Sequence, residues 1–180
     1  MARLVVLLRG INLGRSRRVA TADLRALLAE LGYEDVRTHL QSGNAVLATG
    51  DRPTAVATAV EAGMAERFGM DVRAVVRTAE RLAAIVAADP LGEVADDPAR
   101  RMVIFLPAAP DRAALRALAA EDFGDERFAA SGLEVYAWCP GGIGRSRLMA
   151  ALGDARLTPG GTARNWRTVT RLAEMAGEPS

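Results

Sequence analysis

The sequence predicts an α+β protein of two ferredoxin-like (split βαβ) subdomains, the first ordered βαββαβ and the second a βαββα variant with C-terminal helices. Three observations predict it. Short apolar runs of strand length alternate with segments whose apolar residues recur at helical spacing. Turn and capping residues stand at most changes of period. A stretch rich in proline and acid, ADPLGEVADDPA, then interrupts the pattern near the middle, and the alternation starts again after it. The expected division is a subdomain over residues 1–88, a linker over 89–99 and a second subdomain over 100–180.

Each element rests on a local pattern. Residues 4–8 form a continuous apolar run, which reads as a buried strand. Thr21 is placed to cap a helix carrying Leu24, Leu27, Leu28 and Leu31, with Gly32 at its stop. Strands near 35–40 and 44–49 flank the turn QSGN. In DRPT, Asp51 or Thr54 caps a helix bearing Val56, Val60, Met64 and Phe68, closed by Gly69. Residues 71–76 make a fourth strand, and Thr78 opens a helix with Leu82, Ile85 and Val86. In the second half, 101–106 is a strand and Asp111 caps a helix with Leu115 and Leu118. Residues 127–130 and 133–138 pair as a hairpin around Ser131 and Gly132. The turn CPGGIGRS leads into a short helix near 148–152, and LTPGGT precedes a final helix over about 163–176.

Composition removes whole classes of chemistry. The chain has no lysine, so its basic groups are all arginines. A Schiff-base lysine and a phosphate-loop lysine are therefore absent. With one histidine, His39, and one cysteine, Cys139, no His/Cys metal site can be assembled, and neither a metal nor a cofactor is expected. The single cysteine also excludes a disulfide framework and favours a reducing cytoplasm. No apolar run approaches the ~20 residues of a membrane span, and 4–8 is too short for a secretory signal, so no membrane partner is expected.

The net charge of +1 hides an asymmetry. Residues 1–18 hold Arg3, Arg9, Arg15, Arg17 and Arg18 and no acid, and 139–171 hold six arginines against Asp154 alone. The acids concentrate between 80 and 134. Such a distribution is the footprint of an anionic partner.

Three blocks are familiar. LLRGINLG near the start, THLQSGNAVL in the second and third strands, and the closing GTARNWRTVTRLAEM, with YAWCPGGIGRSRL as a fourth, resemble a widespread bacterial family known as domain of unknown function 1697. The resemblance runs nearly end to end. It implies an α/β arrangement with two similar subdomains and no established activity. In that family the loop after the first strand often carries lysine or a second glycine where this chain has Arg15 to Arg18, so no lysine chemistry carries over.

The split-βαβ order places the loop after the first strand and the turn between the second and third strands at one end of the sheet. Arg9, Asn12, Arg15, Arg17, Gln41, Ser42 and Asn44 are therefore candidate ligand-binding residues. Glycine amides and arginines in RGINLGRSRR are suited to a phosphate or carboxylate, whereas a solvated loop would explain the same glycines. His39 next to this turn reads as a hydrogen-bonding residue rather than a general base for Ser42. In GGIGRSR, Arg145 and Ser146 suggest an anion site at a helix N-terminus, while Cys139 reads as packing rather than reacting. On the closing helix Arg164, Arg167 and Arg171 fall in one sector at ~100° per residue, opposite Trp166, Val169 and Leu172, with Asn165 alongside. The expected function is an anion-binding module whose favoured partner is nucleic acid, contacted through phosphates. The alternative is an enzyme acting on a small phosphorylated or carboxylated metabolite at the 9–18/41–44 sheet edge, and a scaffold without ligand is the third reading. Catalytic residues and oligomeric state stay open.

Overall fold

A computed structural model describes residues 1–11, 18–154 and 156–178. Among these residues it is an α+β protein with two four-stranded antiparallel sheets and six α-helices. The chain divides into two compact units, residues 1–87 with 170–180 and residues 88–169.

In the first unit, β1 (Ala2–Arg9), β2 (Glu34–His39), β3 (Asn44–Thr49) and β4 (Arg73–Thr78) form a sheet in the order β2-β3-β1-β4. The run Leu4 to Leu8 is apolar throughout because β1 is an interior strand, paired with β3 on one side and β4 on the other and buried on both faces. Leu4, Val6 and Leu8 pack with Leu24, Leu27 and Leu28 of α1 (Thr21–Glu30) and with Val56, Val60 and Met64 of α2 (Pro53–Phe68). The two helices approach closely at Gly63, where an added Cβ would stand 2.9 Å from Leu27 Cδ1. The capping expectations need two corrections. Ala20 and Arg52 occupy the N-cap positions, neither with a side-chain cap, and Pro53 starts α2 instead. Thr78 does cap α3 (Ala79–Ala88), its hydroxyl accepting from the Arg81 N–H at 3.1 Å.

In the second unit, β5 (Arg101–Phe105), β6 (Arg127–Ser131), β7 (Glu134–Trp138) and β8 (Thr162–Asn165) take the order β6-β7-β5-β8. Ile104, Leu106, Val135, Ala137 and Cys139 pack with Leu118 of α4 (Arg112–Ala119) and with Leu148 and Leu152 of α5 (Arg147–Leu152). As expected, Asp111 caps α4, accepting from the amides of Ala113 and Ala114 at 2.7 and 3.2 Å.

The strand β8 corrects the expected βαββα variant. A strand stands where a continuous closing helix was expected, and α6 runs Trp166–Gly177. The segment TARN carries no apolar strand pattern because it is short, mostly polar and joined to the helix without a break. Pairing with β5 settles its conformation, Phe105 opposite Thr162 and Val103 opposite Arg164. The boundary between the two units falls inside α6, whose residues from Thr170 onward group with the first.

Candidate functional site

The end of β1 and the β2–β3 turn do meet. The Leu8 N–H donates to the Gly43 carbonyl at 2.8 Å. Gly43 has φ 75°, and a Cβ there would fall 2.7 Å from both Ile11 Cδ1 and Leu8 Cβ. A left-handed turn position pressed against the neighbouring chain admits only glycine. Asn44 is fully buried and ties the turn, its amide donating to the His39 carbonyl at 2.9 Å and to Ser42 Oγ at 2.8 Å. Gln41 and Ser42 are left exposed on the turn.

Arg9 is exposed at the end of β1, and Arg18 is exposed shortly before α1. Neither has a carboxylate partner among the described residues. Asn12, Arg15 and Arg17 lie outside the described residues. Arg73 stands directly opposite Arg9 across the β1–β4 pair. Like charges at that spacing repel, and Arg73 is met by Glu61 at 3.3 Å, which leaves Arg9 as the uncompensated member. Sequence reasoning passed over Arg18 and Arg73. The charge run already contained Arg18, but Arg73 becomes relevant only once β4 is known to pair with β1.

His39 lies opposite Asn44 in the β2–β3 register. Burial, and then the nearby Arg171 guanidinium, lower its pKa below the usual 6.5. Ser42 Oγ meets Asn44 rather than an imidazole in the turn, so the geometry does not assemble a His–Ser pair.

The other candidate positions are occupied by internal contacts. Ser146 is buried and caps α5, accepting from the Met149 N–H at 2.8 Å. Glu126 accepts from the Leu148 N–H at 2.9 Å. The protein thus supplies its own anion to the start of this short helix, while Arg145 is exposed nearby. Cys139 is buried in the same neighbourhood; burial pushes its thiol up, against a lowering bond from Ser146.

The arginine stripe is corrected too. Arg164 belongs to β8 and is buried, bonded to Thr162 Oγ1 at 2.7 Å and to the Ala163 carbonyl at 2.8 Å, and burial lowers its pKa to about 10. Asn165 Oδ1 accepts from the Thr168 N–H at 2.9 Å and so caps α6. Arg167 is exposed, with Asp97 at 3.9 Å. Arg171 pairs with Glu174 at 3.0 Å and Glu178 at 3.4 Å. Trp166 is buried as expected, under the Arg101 guanidinium at 3.9 Å from its ring centre.

These features define an α+β protein in which the β2–β3 turn meets the end of β1, where Arg9 is exposed, and which has, among the described residues, no group of three or more His, Cys, Asp and Glu side chains placed to hold a metal. The chain belongs to the family described as protein of unknown function DUF1697, whose model matches residues 1–136. No curated protein matches it. Its fold is similar to that of the conserved bacterial protein SP0830 from Streptococcus pneumoniae, with a TM-score of 0.81 at 21% identity over 99% of each chain. No helix among the described residues is long and apolar enough to cross a membrane.

Proposed function

We propose that this chain is a binding module for an anionic ligand, held at the edge of the first unit by Arg9 and Arg18 with Gln41 and Ser42 as neutral donors. The observation that carries the reading is the pair of exposed guanidiniums without carboxylate partners among the described residues, one of them facing a third arginine across the sheet. An anion bound there relieves the Arg9–Arg73 repulsion as well as accepting charge-assisted bonds. The ligand class it fits best is a nucleic-acid backbone contacted through phosphate alone. Tyr136 and Trp138, the aromatic pair on β7, are buried and offer no face for base stacking. We read each unit as ferredoxin-like, a reading supported by the matching orders β2-β3-β1-β4 and β6-β7-β5-β8.

A second reading keeps the same residues and replaces the polymer by a small phosphorylated or carboxylated metabolite. The Ser42 hydroxyl, fixed by Asn44 beside the end of β1, favours it because a fixed hydroxyl suits a compact ligand. Fluorescence anisotropy with mixed-sequence duplex and single-stranded oligonucleotides, over a range of salt, separates the two. Nucleic-acid binding should weaken with salt by about 0.9 of a log unit per phosphate contact on a duplex. Arg9→Ala should cost about tenfold in affinity, whereas Arg52→Ala, away from this edge, should not. Absence of oligonucleotide binding at low salt, with a phosphorylated compound raising thermal stability, would transfer the site to the metabolite reading.

A further inference from the structure

We propose that the outer edge of β6 is a dimerisation surface, on which a second copy of this chain pairs its own β6 antiparallel about a two-fold axis at Ala129. β6 ends the sheet order β6-β7-β5-β8, and Arg127, Ala130 and Ser131 are exposed on it. The neighbouring strands fix which of its backbone groups are engaged. The Leu106 N–H donates to the Leu133 carbonyl at 2.9 Å, so Leu133 bonds toward β5. Bonding direction alternates along a strand. Glu134, Tyr136 and Trp138 therefore bond toward β6, where Ser131, Ala129 and Arg127 lie opposite them. This leaves the N–H and C=O groups of Phe128 and Ala130 pointing outward, away from β7. In the two-fold register Phe128 lies opposite Ala130 of the second copy, and Ala130 opposite its Phe128. The outward groups of each copy then bond to those of the other.

Side-chain sizes suit this register. Phe128 and Ala130 share the sheet face of Ala137 and Val135, on which α4 packs through Leu118. Two recesses lie between β6 and α4. One, of about 520 Å³, is lined by Leu118, Phe123 and Phe128, and the other, of about 470 Å³, by Leu115, Ala130 and Leu133. The two-fold register sets Phe128 of the second copy beside Ala130, at the smaller recess, so a bulky side chain meets a small one at both ends. Two helices carried by four adjacent strands stand about 10 Å apart, the separation at which helices pack, so α4 and its copy do not collide. On the other face Arg127 lies opposite Ser131 of the second copy, and no like charges are directly opposed across the new pair.

The charges along the edge are mixed, and their order favours a second copy over a partner of one sign. The larger recess, toward the start of β6, is rimmed by Glu121, Asp122 and Glu126 together with Arg127, and the smaller, toward its end, by Arg112 and Arg116. Several of these groups are already engaged. Glu126 accepts from the Leu148 N–H, Asp122 from the Gly124 N–H, and Arg127 donates to the Gly124 and Glu126 carbonyls. Asp111, next to Arg112, caps α4. Glu121, Arg112 and Arg116 are exposed, and none has a charged partner among the described residues. Antiparallel pairing carries the Glu121 end of one copy onto the Arg112 and Arg116 end of the other, and the symmetry makes that contact twice. The charges come from α4 and the turn after it, so the strand's own alternation is free to fill the recesses. This surface lies within the second unit and does not depend on the anion site of the first.

The test is sedimentation velocity of the full chain over a range of concentrations, with amide hydrogen exchange read at the same concentrations. The expected result is a reversible monomer–dimer equilibrium in which exchange at Phe128 and Ala130 slows as the dimer forms. Arg116→Glu alone and Glu121→Arg alone should each weaken the dimer at least about tenfold, because each sets like charges together twice. Both substitutions in one chain should recover most of that loss, and mixing the two single variants should give a heterodimer tighter than either homodimer. Glutamate and arginine have similar helix propensity, so α4 stays folded. Ala130→Pro, which removes an outward N–H and no bond to β7, should give a folded monomer. The proposal is overturned by a chain that stays monomeric at its highest soluble concentration, or by a dimer in which the Phe128 and Ala130 amides exchange as in the monomer. It is equally overturned if the single variants dimerise as tightly as the parent, or if the combined variant is weaker than both.

Discussion

Gly43 and Asn44 show at the residue scale how a turn that resembles a ligand loop is built for packing. The glycine adopts a backbone conformation closed to other residues while Leu8 and Ile11 press on it. Gly43→Ala adds both strain and a clash, so it should cost about 1–3 kcal/mol in chemical denaturation. A loss under about 0.5 kcal/mol, within the range of ordinary surface changes, would mean that the turn relaxes freely. The motif QSGN was legible as a turn and correctly located. The sequence did not reveal that Asn44 would be wholly buried with its amide engaged inside the turn. Nor did it show that Ser146 would share the start of α5 with Glu126, twenty residues upstream, because partners distant in sequence leave no local pattern.

At the scale of elements, helical periodicity located α1, α2, α3 and α4, and the apolar runs located seven of the eight described strands. The exception, β8, also undid the arginine stripe. An angular argument at one step per residue holds only inside a helix, and Arg164 lies before α6 begins. The last turns of α6 lie instead against β2. Arg37 donates to the Met175 carbonyl at 2.6 Å and pairs with Glu178 at 2.7 Å. Arg37→Leu should therefore speed amide exchange through 175–178 while α1 and α2 keep their protection, and unchanged exchange there would assign the docking to other contacts. His39, on the same strand, gives the stability of the fold a pH dependence. Its pKa is lowered in the fold by burial and then by Arg171, so below its ordinary 6.5 the unfolded chain takes up a proton that the folded one resists. Stability contributed by the neutral imidazole is present above that value and lost as pH falls through the lower folded value. His39→Gln should flatten the part of the stability profile just below pH 6.5 relative to the parent, and parallel profiles would remove the effect.

Over the whole molecule, two separate helix-covered cores are joined by a helix that contributes residues to both units. Leu28 and Leu148 are each fully buried, one in each core. Leu28→Ala and Leu148→Ala should each cost about 2–5 kcal/mol. Because melting either unit strips packing from one end of α6, both variants should shift a single transition. Two resolved transitions, each moved by one variant only, would show the units to be independent. The acidic, proline-containing stretch lies inside the second unit, and the grouping of residues 170–180 with the first unit has no signal in the sequence, since nothing in their composition names the strand they return to. That return sets the order of events on the ribosome. The opening sheet with α1 and α2 can collapse early, yet the segment that bonds to Arg37 is translated only after the entire second unit. Until then the β2 surface is a nascent, unfinished face, and it is completed by a segment that emerges only after the second unit.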